Sequence, residues 1–342
     1  MAQRIGLLIV AVVGAATVAF IPSHAEAAVN PYSVKLGLVP GENRNSATTT
    51  AFAGMKDVGA SWVRLDVSWK DIEPVRGKRL WAATDKAVTN ARAKGLNILG
   101  LVTYTPTWAF HPGCTQSPCA PAVDKYDEFA AFAAAAAKRY KGRISAWEVW
   151  NEPNERNFWK PKVDPAAYVK LLNLTYASIH RVDPTLKVVS GGLSCHSTDT
   201  QAYLTWRTFM QRFYAAGGAK FDVFGIHPHF ASNAPLYPSA DNPFYNLPKT
   251  HQFLASHGDG AKKIWLTEFG YETGGLTPTQ QGKRLQTALG QVVKWSFVER
   301  MFVFAWMDFG GHARPQTWGL NDADGHAKVS RSMLRSYVRS HA

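Results

Sequence analysis

Residues 85–103, DKAVTNARAKGLNILGLVT, join two segments of different periodicity through a single glycine. The segment Asp85–Lys94 has the pattern of an amphipathic helix, and Gly95 follows where a helix C-terminus favours positive φ. The segment Asn97–Thr103 is a short apolar run, which is typical of a strand buried on both faces. The stretch therefore predicts a helix followed by a parallel strand, one unit of an alternating architecture.

The same alternation extends along most of the chain in both directions. Eight apolar runs predict strands at Lys35–Val39, Trp62–Val67, Asn97–Thr103, Ala146–Trp150, Lys187–Ser190, Asp222–His227, Lys263–Thr267 and Met301–Trp306. Helical patterns lie between them, including Asp124–Tyr140 with its alanine run, and a last one covers Ser330–Arg339. These alternations predict an α/β fold, a single (β/α)8 TIM barrel. A doubly wound open sheet is the alternative, but residues 38–42, LVPGE, are not its glycine-rich phosphate loop.

The N-terminal segment predicts export from the cell. Arg4 precedes an apolar run from Gly6 to Phe20, and Ala25 to Ala28 offer an A-x-A cleavage site. We expect residues 1–27 to be a cleaved signal peptide and residues 28–342 to form one catalytic barrel domain. An uncleaved membrane anchor is the alternative. The mature chain is expected to be secreted or cell-wall associated, monomeric, and without stable membrane insertion.

Composition limits the classes of partner. The formal net charge of +13 is spread along the chain, with no basic stripe interleaved with aromatic residues, so nucleic-acid binding is not expected. Such a charge favours association with an anionic cell-wall polymer. The alternative is that the charged side chains lie on a solvated surface and bind no polymer.

The chain has three cysteines, and two of them bracket a short turn. Cys114 and Cys119 are predicted to form a disulfide in an oxidising compartment, and Cys195 then has no cysteine to pair with. Because no histidine or cysteine cluster completes a tetrahedral set nearby, no metal and no cofactor is expected.

Two carboxylates lie where predicted strands end, at the face on which β/α barrels carry their active sites. The fourth strand ends in residues 147–154, WEVWNEPN, and the seventh in residues 265–271, WLTEFGY. Glycoside cleavage by retention needs a protonated carboxyl group as acid and a second carboxylate as nucleophile. Glu152 and Glu268 supply such a pair across the barrel mouth. The alternative is that both are solvated surface carboxylates.

These two stretches resemble glycoside hydrolase clan A, most closely families 39 and 5, over essentially the whole mature chain. The resemblance implies a retaining O-glycosidase with Glu152 as acid/base and Glu268 as nucleophile. It also implies that Asn151 binds the sugar 2-hydroxyl and that Arg64 keeps the nucleophile ionised. Glu148, inside the strand, is instead expected to pair with a buried Arg or Lys.

The sixth strand departs from the clan pattern His-x-Tyr, because this chain has His227-Pro228-His229. We expect His229 to replace the tyrosine as a donor to the nucleophile, which makes that contact pH-dependent. Trp306 matches the tryptophan that the clan places beneath the sugar. Tyr104 and Trp108, after the third strand, are expected beside the cleft.

The leading hypothesis is a glycosidase that hydrolyses a β-linked polysaccharide, with carbohydrate as its partner. The accessory β-sandwich of many larger family 39 exo-enzymes is not recognised here, which favours endo action. An exo-acting β-glycosidase is the alternative within the class. A catalytically silent carbohydrate-binding barrel usually loses one carboxylate, and a wall-associated adhesin binds anionic polymer without turnover. The sequence does not identify the sugar.

Overall fold

The computed structural model describes residues 30–40, 47–229, 242–310 and 316–341. Within these ranges the strands are parallel, hydrogen-bond in sequence order and close into a barrel, with the first pairing with the last. They are β1 Leu36–Leu38, β2 Trp62–Ser68, β3 Asn97–Thr103, β4 Ala146–Asn151, β5 Lys187–Ser194, β6 Val223–His227, β7 Lys263–Phe269 and β8 Val298–Val303. The predicted (β/α)8 TIM barrel is confirmed, and the open sheet is excluded.

Helices between the strands form the outer layer. They are α1 Pro31–Lys35, α2 Thr49–Val58, α3 Trp69–Ile72, α4 Ala82–Ala93, α5 Tyr126–Arg139, α6 Pro165–Val182, α7 Trp206–Ala215, α8 Leu247–Ser256, α9 Pro278–Lys294 and α10 Val329–Ser340. Their boundaries follow local signals: Asp164 caps α6 by accepting from the Ala167 amide, and Gly95 after α4 has a φ of 68°. The alanines of α5 are largely buried, so small side chains let this helix pack closely on its neighbours.

A packed floor fills the barrel interior below the mouth. It consists of Val39, Trp62, Leu99, Ala146, Val189, Val223, Trp265 and Phe302. Trp62 and Trp265 meet edge to face with ring centroids 5.2 Å apart. Because side chains alternate along a strand, the residues two positions further on enter the barrel one layer higher. Arg64, Glu148 and Thr267 occupy that layer, directly beneath the site.

The eighth strand differs from its prediction. It was expected over Met301–Trp306, but its ladder ends at Val303, and the Phe304–Ala305 peptide is cis. Beyond it the Phe304 amide donates to the Phe269 carbonyl of β7, and the Trp306 amide donates to the Val39 carbonyl on the other side. Trp306 therefore lies past the strand, in a segment where the alternation of side chains no longer holds.

The predicted disulfide is present, with the Cα atoms of Cys114 and Cys119 6.3 Å apart, and Cys195 is a free thiol. The predicted signal peptide lies outside the described residues. In the described part of the chain, no helix is both long and apolar enough to cross a membrane.

Candidate active site

Arg64 of β2 connects three acidic or amide side chains at the mouth. Its Nε donates to Glu148 Oε2 at 2.6 Å, its Nη1 to Glu268 Oε1 at 2.6 Å, and its Nη2 to Asn151 Oδ1 at 2.8 Å. Arg64 is only 3% exposed and Glu148 is fully buried. Because the guanidinium is a rigid planar fork, these bonds fix Glu268 relative to Asn151. Glu148 is the buried partner expected from its position inside β4.

His227, at the end of β6, brings the two glutamates into one site. Its Nδ1 lies 2.8 Å from Glu152 Oε1 and 3.8 Å from Glu268 Oε2. Glu152 Oε1 and Glu268 Oε2 are therefore no farther apart than the sum of these two distances. His227 is fully buried, and each glutamate side chain is 13% exposed. The sequence placed Glu152 and Glu268 at the same mouth, but it did not predict that one imidazole reaches both.

A chain of hydrogen bonds fixes the tautomer of His227. Thr267 Oγ1 donates its single proton to Glu148 Oε1 at 2.8 Å, so the hydroxyl accepts from His227 Nε2 at 3.0 Å. Nε2 consequently carries hydrogen. Nδ1 then either accepts a proton from a neutral Glu152 or donates one to its carboxylate. In both cases, one proton is held between Glu152 and His227.

Electrostatic effects separate the two carboxyl groups. Burial raises the pKa of Glu152, and the hydrogen bond and charge of His227 offset this only in part. Burial also acts to raise the pKa of Glu268, but the charges of His227 and Arg64 outweigh it and hold that pKa well below its usual range. Two carboxyl groups with pKa values pushed apart are the pattern of an acid paired with a nucleophile.

The backbone at the mouth adopts conformations that non-glycine residues rarely take. Tyr104, Trp150 and Glu152 have φ values of 61°, 74° and 43°. Each such residue costs on the order of 1–3 kcal/mol, and such strain concentrates at functional sites. The surrounding packing holds Glu152 in place, since its amide donates to the Gly192 carbonyl at 3.1 Å.

Gly192 of β5 is a site residue that the sequence did not reveal. A Cβ at this position would collide with the side chains of His227 and Thr267. Its amide also donates to Glu148 Oε1 at 3.0 Å. The glycine therefore leaves room for the imidazole and extends the same hydrogen-bond chain.

His229 occupies the position expected for a donor to Glu268. Its Nε2 lies 3.4 Å from Glu268 Oε2, and its ring meets Trp318 edge to face at 5.1 Å. The ring of Phe304 packs on the same imidazole at 5.9 Å. These two aromatic side chains stand beside the nucleophile, where a sugar ring has an apolar surface to contact.

The expectation that Trp306 lies beneath the sugar is wrong. Its ring packs against Gly54 of α2 and beneath the guanidinium of Arg331 in α10, 4.5 Å away. Only 5% of Trp306 is exposed. The reason is the early end of β8, after which the chain directs this side chain between the barrel and its helices.

Trp108, expected beside the cleft, packs against α3. Its indole nitrogen donates to the Glu73 carbonyl at 3.0 Å, and its ring meets Trp69 edge to face at 5.1 Å. These contacts fasten the third βα loop to α3. Tyr104 does line the mouth.

A cavity of about 990 Å³ lies beside the two glutamates, reaches Arg64 but is lined by neither Glu152 nor Glu268, and extends along the first and second βα loops. We call it the mouth cavity. Its lining includes Thr48, Arg64, Asp66, Ser68, Asn90, Tyr104, Pro118 and Phe158.

Two groups of described residues bring three possible metal-ligand atoms within 4.8 Å of one another. One is His227, His229 and Glu268, whose atoms already bind each other, Glu152 and Arg64. The other is Asp322, Asp324 and His326 on the surface, where Asp322 accepts from the backbone and ring of His326. We assign a metal to neither group.

Comparison with known proteins agrees with this geometry. Residues 123–234 match the model of glycosyl hydrolases family 39. A β-xylosidase of Geobacillus stearothermophilus is 36% identical over 93 residues, which are 27% of this chain and 17% of that protein.

Three solved structures of glycosidases resemble the chain. A family 39 glycoside hydrolase from Bacteroides cellulosilyticus WH2 has a TM-score of 0.71 and 22% identity, over 90% of this chain and 64% of that one. A monomeric β-xylosidase from Caulobacter crescentus CB15 has a TM-score of 0.69 and 18% identity, over 90% and 68%. Xylanase 10B from Thermotoga petrophila RKU-1 has a TM-score of 0.65 and 13% identity, over 90% and 95%.

At these identities, the structural likeness shows the barrel fold. The chain spans less than two thirds of the Bacteroides structure and a small part of the Geobacillus enzyme. The matched sequence runs from the start of α5 past the end of β6 and includes Glu152 and His227. That segment is similar to glycosyl hydrolases family 39, a family of the clan that residues 147–154 resemble.

Proposed function

We propose that the protein is a retaining glycoside hydrolase that cleaves β-linked xylose-containing polysaccharide. Glu268 acts as the nucleophile and Glu152 as the acid/base. The observation that carries the proposal is the position of His227, whose Nδ1 reaches both carboxylates at 2.8 and 3.8 Å. Glu152 Oε1 and Glu268 Oε2 can be no farther apart than the sum of these two distances, a limit that admits the carboxyl spacing of about 5–5.5 Å needed for retention.

The first step uses the separated pKa values. Glu268, kept ionised by Arg64, attacks the anomeric carbon while Glu152 gives its proton to the leaving oxygen, and a covalent glycosyl-enzyme results. In the second step, Glu152 removes a proton from water, which attacks the same carbon and releases Glu268. The first step leaves Glu152 deprotonated, and the second step returns both carboxyl groups to their starting protonation states.

Asn151 is oriented for substrate by Arg64. Because the guanidinium donates to Asn151 Oδ1, the amide group of this side chain must present its Nδ2 hydrogens elsewhere. We assign these hydrogens to the sugar 2-hydroxyl, a contact that strengthens in the transition state.

The proposed substrate follows from the similar proteins, which include β-xylosidases and a xylanase. Endo action is favoured by a mouth cavity that extends along two loops. Exo action is the second candidate, because the Geobacillus relative is a β-xylosidase. End-labelled xylo-oligosaccharides distinguish them: internal cleavage gives labelled fragments of several lengths early, whereas exo action releases xylose alone.

We further propose that residues 1–27 direct export and that the domain 28–342 acts outside the cell. The Cys114–Cys119 disulfide supports this, because such bonds persist in oxidising compartments. Mass spectrometry of the protein recovered from the medium would give the mature N-terminus. An N-terminus at Met1 would contradict the proposal.

Azide rescue tests the two catalytic roles. Glu268→Ala is expected to lose turnover of every glycoside. Glu152→Ala is expected to form the intermediate from a dinitrophenyl glycoside, which needs no acid, and to hydrolyse it slowly. Azide should restore the Glu152→Ala rate and give a glycosyl azide of retained configuration, whereas on Glu268→Ala it should give the inverted product. Inversion on Glu152→Ala would show that the roles are exchanged, and full activity of both variants would refute the pair.

A further inference from the structure

Asp66 is an exposed carboxylate in the middle of a buried strand. The other residues of β2 are all buried, from the floor residue Trp62 to Ser68. The pairing of β2 with β3 keeps one register over this whole length, so the alternation of side chains holds along the strand. Asp66 therefore enters the barrel one layer above Arg64, and it lines the mouth cavity.

The Asp66 carboxylate has no hydrogen-bond or ion-pair partner in the described part of the chain. The guanidinium of Arg64 lies one layer below, but its three nitrogens donate to the side chains of the catalytic site. Arg64 acts on Asp66 through its charge, without a bond between them. The fold therefore leaves the acceptor oxygens of this carboxylate open to the cavity.

The surroundings raise the pKa of Asp66 to about 6. The first cause is desolvation, because protein encloses the recessed carboxyl group on most sides although its surface is open to the cavity. The charge of Arg64 opposes this effect, and those of Glu268, Glu148 and Asp71 add to it. At neutral pH the group is mostly ionised, and an ionised carboxylate accepts hydrogen bonds but donates none. A ligand that supplies a donor is therefore favoured here.

Ser68 is a second polar residue of β2 without a partner at the mouth. It lies two positions beyond Asp66, lines the same cavity and is only 6% exposed. Its Oγ has no hydrogen-bond partner among the described residues. A buried hydroxyl without a partner is costly. The upper part of β2 thus carries two polar side chains whose hydrogen bonds the fold itself does not supply.

The positions of the catalytic groups place Asp66 beside the sugar that Glu268 attacks. Glu152 gives its proton to the leaving oxygen, so the departing part of the substrate lies on the side of β4 and β6. The mouth cavity extends the other way, along the loops after β1 and β2. Two residues of strand span roughly 6.6 Å, which is about the width of a sugar ring. A sugar held at Glu268 over Arg64 therefore reaches Asp66 with its far side.

The 3-hydroxyl is the donor that this sugar has left for Asp66. Its 2-hydroxyl is assigned to Asn151, and its 4-hydroxyl carries the next unit in a chain linked through position 4. We propose that Asp66 determines specificity by accepting a hydrogen bond from the 3-hydroxyl of the sugar that Glu268 attacks. The inference rests on the proposed function and deepens it: a unit substituted at position 3 has no donor for the carboxylate and is rejected.

Hydrolysis of two dinitrophenyl β-xylosides, one complete and one without its 3-hydroxyl, tests the proposal. This leaving group needs no acid, and a single sugar occupies the site of attack, so the comparison serves endo and exo action alike. In the unmodified protein, loss of the 3-hydroxyl is expected to lower kcat/KM about 10- to 100-fold, the range for a hydrogen bond to a charged group.

Substitutions assign this loss to Asp66. In Asp66→Ala the two glycosides should differ by less than about threefold, whereas Asp66→Asn, whose neutral oxygen still accepts, should show an intermediate difference. A merely structural role would lower both rates and leave their ratio unchanged. Asp127→Ala, at an exposed position on α5 outside the cavity lining, should keep the full ratio. Circular dichroism melts of all variants confirm that they fold.

The outcomes separate this proposal from the proposed function. Turnover of the complete glycoside by the unmodified protein, with the same ratio in Asp66→Ala, would overturn the role of Asp66 alone. Equal rates of the unmodified protein with the two glycosides would do the same. No turnover of the complete glycoside would refute the proposed function, and the assignment of Asp66 with it.

Discussion

At the scale of single residues, substitution of His227 tests what determines the pKa values of Glu152 and Glu268. Its hydrogen bond and charge lower the pKa of Glu152, and its charge lowers the pKa of Glu268. In His227→Asn both pKa values should therefore rise. Since the limbs of the kcat/KM profile report the free-enzyme acid and base, both limbs should move to higher pH.

His180→Asn is the matched control for that profile. His180 bonds to the Leu186 carbonyl near Asp222, before the strands β5 and β6 begin, and so lies at the opposite end of the barrel. Its substitution should leave both limbs in place. A His227→Asn profile that coincides with that of the control would show that the imidazole does not set the titration of the glutamates.

Arg64 gives a second prediction at this scale, on stability. Arg64→Met removes the partner of the fully buried Glu148 and of Glu268. Breaking a buried ion pair leaves an uncompensated charge and costs about 3–5 kcal/mol. Urea unfolding at neutral pH should show a loss of this size. Arg76→Met, which breaks an exposed pair with Glu128, should cost no more than about 1 kcal/mol.

At the scale of elements, the close approach of β5 to β6 predicts the effect of one added methyl group. Gly192→Ala should lower stability by about 1–3 kcal/mol and reduce kcat, because the Cβ collides with His227 and Thr267. Gly274→Ala is the control, since its Cβ would find nothing nearer than 3.6 Å. Melting temperatures and kcat values measured for both variants test whether the added Cβ disturbs the site. Equal melting temperatures and rates would contradict the predicted collision.

The strands and their carboxyl ends were predictable because their signals are local. Apolar runs, helix caps and strand-end polar residues placed Arg64, Asn151, Glu152 and Glu268 correctly at one mouth. The contact between His227 and Glu152 was not predictable. It depends on a register shift between β5 and β6, near Val189 and Leu193. The spacing of residues in the sequence does not predict such a shift.

The directions of the Trp306 and Trp108 side chains were not predictable for a related physical reason. Both residues follow the end of a strand, where the alternation of side chains stops and loop conformation decides their direction. A motif match gives the position of such a residue in the chain. The direction of its side chain depends on contacts with residues that lie elsewhere in the sequence. Examples are the contact of Arg331 with Trp306 and the contact of Trp69 with Trp108.

At the scale of the whole molecule, the two glutamates should affect folding stability with opposite signs. The folded pKa of Glu268 is depressed, so this group stabilises the protein above its unfolded pKa, and the effect is lost as pH falls. The folded pKa of Glu152 is raised, so its ionisation destabilises the protein at neutral pH, and the penalty disappears as pH falls.

Glu268→Gln should therefore lower the free energy of unfolding at pH 7, and Glu152→Gln should raise it, each by on the order of 1 kcal/mol. Both differences should diminish towards pH 3. Urea titrations at several pH values measure them. Changes of the same sign at pH 7 would mean that the two carboxyl groups do not sit in opposite electrostatic environments.

The packed floor below the mouth also decides where the catalytic proton comes from. Trp62, Trp265 and Phe302 close the barrel beneath Arg64, so the described interior offers Glu152 no route to bulk water except through the mouth. A saccharide seated there blocks the same opening. The proton that Glu152 gives to the leaving oxygen must therefore already be in place when the sugar binds, and the water that enters through the mouth in the second step returns it.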